Sequence, residues 1–154
     1  MEHLPDYGAV VRQFQRLLKP GGKIISGCQF VPGKVFKPTL FHVYVFPGNH
    51  RYFVLHEFLS RVAKTSLEVQ RVYNDRHSYY LTCREWAKNL ESACQEITKL
   101  CSTKQCSTKR WSKKQGEKLY RIFRLYLWGS SYAFYSRSMD AFRVVMERPE
   151  DSGA

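Results

Sequence analysis

Few residues in this 154-residue chain combine a reactive type with a spacing suited to chemistry. The five histidines, His3, His42, His50, His56 and His77, are scattered and lack the short spacings that let side chains share a metal. Cys101 and Cys106 form a C-x4-C pair with no second pair nearby, a poor match to the usual C-x2-C of zinc sites. They lie in KLCSTKQCSTKRWSKKQGEK, residues 99–118, where CSTKQ is followed at once by CSTKR and almost every charge is positive. A short tandem of this kind reads as a surface insertion absorbed by a loop. Its cations, with Trp111 as an interfacial anchor, also suit contact with phosphate groups. Tyr79 and Tyr80 offer hydroxyls that could serve a reaction or lie wet at the margin of a core. Glu2, just ahead of a helix start, suits the helix dipole. No G-x-G precedes a helix, and Pro20-Gly21-Gly22 follows one.

Composition sets the frame for these residues. With 44% hydrophobic and 15% aromatic residues the chain can build one domain with a real core. No apolar run is long enough to span a membrane, and no basic segment followed by an apolar stretch opens the chain. Five cysteines, an odd number without framework spacing, fit reduced thiols in a cytoplasmic protein. A formal charge of +12 favours polyanions, either nucleic acid or anionic lipid headgroups, without choosing between them. Against nucleic acid, no basic stripe interleaved with aromatics is visible outside the one loop.

The elements that must position any site follow from periodicity. Val10, Phe14 and Leu17 predict an amphipathic helix, ended by Pro20-Gly21-Gly22 and followed by a short strand over Lys23–Ser26. A helix running by a tight turn into an aliphatic strand is half of a βαβ crossover, which implies a parallel sheet. Residues 28–50 are irregular, and within them FHVYVF, 41–46, reads equally as a strand or a short helix. Leu55, Phe58, Leu59 and Val62 predict a second helix, and Leu67–Tyr73 a strand. Thr82-Cys83-Arg84-Glu85 matches a capping box that would open a helix with Trp86, Leu90, Cys94 and Ile97 on its face. A long helix from about Glu117 carries Leu119, Ile122, Phe123, Tyr126, Ser130 and Phe134, and Phe142–Arg148 is a last strand closed by Pro149.

Several segments together resemble a known family. MEHLPDY followed by a helix and RLLKPGGKII is similar to the centre of Rossmann-like S-adenosylmethionine-dependent methyltransferases. HVYVFPGNHRYFVLHEF, residues 42–58, resembles the "IFPGG" segment of the cyclopropane fatty-acid and mycolic-acid synthases. RHSYYLTCREWAKNL, 76–90, resembles that family's His-Tyr block, and YRIFRLYLWGSSYAF, 120–134, its "Y-x-x-Y-L-x-G-C-x-x-x-F" helix. The likeness runs in the family's order from Glu2 to about Pro149, interrupted by the basic segment.

The resemblance implies an α/β fold: the C-terminal half of a Rossmann-like class I methyltransferase sheet with a helical substrate lid. On this reading residues 1–149 are part of a methyltransferase domain, with a lid at 28–66, a basic insertion loop at 99–118 and a frayed tail at 150–154. Three strands and four or five helices are expected, with Leu67–Tyr73 and Phe142–Arg148 pairing antiparallel or mixed at one sheet edge. The implied chemistry is methyl transfer from S-adenosylmethionine to a cis double bond of an unsaturated acyl chain, with bicarbonate as the base. Glu2 falls on the glutamate that orients the bicarbonate, and Tyr79, seven residues before Trp86, on the active-site tyrosine. Phe46, Tyr126 and Ser130 are the implied substrate-binding residues, Ser130 standing where the family's helix carries cysteine. Gly27 stands where the family has a histidine ligand of bicarbonate, so simple methylation, or a polyketide-like or other small-molecule substrate, fits as well. The cofactor's glycine-rich turn and ribose-binding acid are expected in a preceding N-terminal half, so the isolated chain is expected to be inactive and not to bind the cofactor. The expected partners are an unsaturated phospholipid or lipid-like substrate, an anionic membrane touched peripherally and a complementing N-terminal half, and no nucleic acid. The rival readings are a non-catalytic remnant and a basic nucleic-acid-binding module.

Overall fold

The computed structural model describes residues 6–30, 45, 53–102 and 113–150. The first helix, α1 (Tyr7–Leu17), starts at Asp6, whose Oδ1 accepts the Ala9 N–H at 3.1 Å. This is an aspartate N-cap of the kind that satisfies one of the free amides of a first turn. At the other end the Arg148 guanidinium donates to the carbonyls of Gln15 and Leu18 at 3.3 and 3.0 Å, a cation at the negative pole of the helix. The buried stripe is Tyr7, Val11, Phe14 and Leu18 rather than the expected Val10, Phe14 and Leu17. Leu17 is 71% exposed.

Gly21 turns the chain with φ +72, and its N–H donates to the Arg148 carbonyl at 2.8 Å. Strand β1 (Lys23–Phe30) then runs further than the Lys23–Ser26 expected. The second helix, α2 (Leu55–Val62), packs on α1 through Phe58 and Val62, as its spacing predicts. Tyr7, Phe53 and Phe58 meet with ring centroids 5.5, 6.1 and 5.0 Å apart, and the Tyr7 hydroxyl accepts the Val54 N–H at 3.3 Å.

Strands β2 (Glu68–Asn74) and β3 (Asp140–Glu147) complete a sheet of order β1–β3–β2. The expected antiparallel pairing of the last two strands at one sheet edge holds, with β2 outermost and β3 between it and β1. Both pairings are antiparallel, so β1 and β2 run the same way without touching, and the parallel neighbour expected beside Lys23–Ser26 is not among the described strands. In β3 the alternate residues Phe142, Val144 and Met146 all face the core.

These elements form one compact unit, and a second spans His77–Ser136. The latter is helical: α3 (Arg76–Ser92), α4 (Cys94–Ser102) and α5 (Lys113–Tyr135). The expected capping box at Thr82 is not a helix start, because α3 begins earlier, where the Asn74 side chain accepts the Arg76 N–H at 3.0 Å. Its buried residues are Cys83 and Ala87, whereas Trp86 is exposed. Cys94 and Ile97 belong to the separate helix α4.

Candidate active site

Of the residues implied as functional, Tyr79, Tyr126 and Ser130 fall in the helical unit. Tyr79, in the first turns of α3, is half-buried and lays its ring against Phe134 of α5, with centroids 5.4 Å apart and planes inclined at 50°. Phe134 is 2% exposed, so one face of the tyrosine rests on a fixed aromatic base. Ser130 lies one turn before Phe134 and Tyr126 a further turn back, all three on one face of α5 by their spacing. Tyr126 and Ser130 are both half-buried. The structure therefore places the three implied residues along one face of α5 and the helix end that meets it.

The register of α3 against α5 is held at two places. Near Tyr79, the Ser131 hydroxyl donates to the Tyr80 carbonyl at 3.4 Å, and Tyr80 stacks on Tyr135 at 5.4 Å. At the far end of α3, one oxygen of Glu91 accepts both Arg124 Nε at 2.6 Å and Trp128 Nε1 at 3.1 Å. The Arg124 hydrogen bond, with that of Trp128, holds the Glu91 carboxyl below its ordinary range. Beside this pair, a hydrogen bond to Cys94 pushes the Tyr120 hydroxyl up. Burial likewise pushes the Cys83 thiol up, which marks it as an unreactive core group. Sequence reasoning missed Glu91, Arg124 and Ser131. Their signal was the equal separation of Tyr80 from Glu91 and of Arg124 from Tyr135, which lets two antiparallel helices meet twice in one register.

Gly27, in the sheet unit, pairs with Arg143 across β1 and β3 and is exposed. A Cβ there would meet nothing within 4 Å, so the position has room for a side chain but offers no ligand. Glu2 and Phe46 lie outside the described residues. Among the described residues no group of three or more His, Cys, Asp or Glu side chains could hold a metal ion, and no helix is long and apolar enough to cross a membrane.

A cradle for S-adenosylmethionine is not found in the described glycine turn. Its amides are consumed internally, Gly21 N–H by Arg148 and Gly22 N–H by the Lys19 carbonyl at 2.8 Å. A Cβ on Gly22 would stand 2.7 Å from that carbonyl, so its glycine serves the turn itself.

Comparisons with known proteins place this geometry. The sequence of the chain finds no match among curated proteins. The cyclopropane synthase MmaA2 from Mycobacterium tuberculosis superposes with a TM-score of 0.73 at 16% identity, over 92% of this chain and 49% of that one. The mycolic acid cyclopropane synthase CmaA1, complexed with SAH and CTAB, gives 0.74 at 18% identity over 95% and 52%. Coclaurine N-methyltransferase, bound to N-methylheliamine and SAH, gives 0.70 at 20% identity over 95% and 44%. The fold is thus that of Rossmann-like S-adenosylmethionine-dependent methyltransferases, and the chain spans about half the length of the cyclopropane synthases it matches. The family model for mycolic acid cyclopropane synthetase matches residues 2–144, and the chain belongs to that family.

Proposed function

We propose that this chain is the substrate-facing part of an S-adenosylmethionine-dependent methyltransferase that methylates a cis double bond in an unsaturated lipid acyl chain. The observation that carries the reading is the half-buried Tyr79, seated on Phe134 at one end of the Tyr126–Ser130–Phe134 face, in a member of this family. The tyrosine hydroxyl is the group that would face the positive charge that develops on the alkene as it is alkylated. Its ring, braced by Phe134, keeps the oxygen in place before the reaction, so little reorganisation is needed when the charge appears. Glu2 is assigned by resemblance alone to orienting the base. The face of Tyr126 and Ser130, with Phe46 by resemblance, is proposed to run alongside the acyl chain.

The methyl donor would be held by residues other than the glycine turn described, and a complementing N-terminal half is proposed for them on the greater length of the matched synthases. Bicarbonate as the base lacks a donor at Gly27, so no step is drawn through it. Simple methylation of the alkene balances without it when the carbocation left by methyl transfer loses a proton from an adjacent carbon to water. The working site would be a cytoplasmic enzyme touching an anionic membrane peripherally, without nucleic acid. A second reading, methylation of a small molecule, is favoured by the absent side chain at Gly27 and by the likeness to coclaurine N-methyltransferase.

Assay of the complemented enzyme with a labelled methyl donor tests the assignment on a vesicle-borne monounsaturated phospholipid and on a soluble amine. Tyr79→Phe should lower kcat on the lipid by about a hundred- to a thousandfold while leaving cofactor affinity within about twofold. Near-full activity in that variant would return Tyr79 to the role of a core aromatic.

A further inference from the structure

We propose that the outward face of α5 is an interfacial surface that seats the protein on an anionic lipid bilayer, which deepens the lipid-methylating reading and rests on it. Lys114, Lys118, Arg121, Leu125 and Tyr132 recur at helical spacing and share one side of α5, away from Tyr126 and Ser130. All five are exposed, Leu125 at 62% and Tyr132 at 69%. The cations occupy the N-terminal half of the stripe and the apolar side chains the C-terminal half. Tyr135, 68% exposed, flanks the stripe, stacked on Tyr80 beside the Arg84 guanidinium.

Two features separate this face from an ordinary solvated one. The first turn of α5 contains no acid, so its lysines sit at the positive pole of the helix, where cations are unfavourable. Glu117 is the one acid within α5, paired with Arg121 at 3.8 Å. The sequence just ahead, TKQCSTKRWSKK at 103–114, adds further cations, no acid and a tryptophan. Charge placed at some cost to the helix, in line with an exposed leucine and tyrosine, fits a surface that offers phosphates first and hydrocarbon just beneath. A nucleic acid would be served by the cations and by the ring of Tyr132 but would leave the exposed Leu125 in water, whereas a bilayer takes up all three.

Co-sedimentation of the full chain with vesicles of phosphatidylcholine, alone and mixed with phosphatidylglycerol, tests this face. Only the mixed vesicles should bind, and more weakly as salt is raised. Lys118→Glu with Arg121→Glu should weaken binding at least about tenfold, since each cation near such a surface contributes about a factor of five. Leu125→Asn with Tyr132→Asn, which add no charge, should weaken it comparably at every salt concentration, and all variants should keep wild-type circular dichroism. Arg12→Glu with Arg16→Glu on α1 makes the same change in net charge and should alter binding less than about twofold. Equal losses from the α1 and α5 pairs, no binding to mixed vesicles, or displacement from them by a single-stranded oligonucleotide would each overturn the proposal. Vesicle binding needs no turnover, so its failure leaves the Tyr79 reading standing, and an inactive Tyr79→Phe chain should still bind.

Discussion

Tyr79 takes its interest from its support rather than from its hydroxyl alone. Tyr80, next to it, is engaged on all sides by His77, Arg84 and Tyr135, whereas Tyr79 rests on the buried Phe134. Gly27 shows the opposite condition, space without a side chain. Gly27→His should fold normally, with stability unchanged or raised by up to about 1 kcal/mol, because glycine is a poor strand residue and no atom blocks the site. If the position serves a base, the variant should shift product from methylated alkene towards ring closure, measured by mass spectrometry of the lipid. Asp6 gives a pH test. The Ala9 N–H first, then the Gly8 N–H and the charges of Arg12 and Arg61, hold its carboxyl below the ordinary value. A carboxyl depressed in the folded state stabilises fully above its unfolded pKa, about 3.9, and the contribution fades as pH falls through the lower folded value. Asp6→Asn keeps a cap without the charge, so thermal melts of the two proteins should differ at neutral pH and converge at acid pH.

Among the elements, α1 and α2 make the clearest energetic claim. Phe58 is fully buried between Tyr7 and Phe53, so Phe58→Ala should cost about 3–5 kcal/mol in denaturant unfolding. Leu17→Ala, at an exposed site, should stay within about 0.5 kcal/mol. The pair also shows why the face of α1 was misread. Val10-Phe14-Leu17 and Val11-Phe14-Leu18 share a phenylalanine and differ by one residue, so both satisfy helical spacing. What decides between them is Tyr7, whose hydroxyl meets Val54 and whose ring meets Phe58, a contact between residues far apart in sequence. In α3 a large residue was expected in the interface, yet Trp86 points out and Cys83 and Ala87 are buried. Periodicity ranks hydrophobicity, and so sets Trp86 above side chains as small as Ala87. The turn at Gly21-Gly22 and the helix at Leu55–Val62 were legible because their signals are local. The candidate site could be proposed only through resemblance, since nothing in the spacing of Tyr79 and Phe134 announces their contact.

On the scale of the whole molecule, the sheet of described strands has two unlike edges. Strand β2 is broken by a bulge between Val69 and Arg71 and carries Glu68 and Arg71, features that deter a further strand from pairing. Strand β1 pairs with β3 without a break over eight residues and has a single charge, Lys23, at its start. Its outward side chain Ile25 is 65% exposed. An edge of that kind is stable when another strand covers it and adhesive when none does. The superposed cyclopropane synthases are about twice as long and hold further chain that this one does not match. The 154-residue chain alone should therefore self-associate with rising concentration in sedimentation velocity. Ile25→Lys should suppress that association, because a charge on an edge strand resists desolvation in a strand-to-strand contact. Val69→Lys, on the edge already guarded, should change it little. If both variants associate like the parent chain, the β1 edge is not the adhesive surface and its exposed isoleucine needs no covering strand.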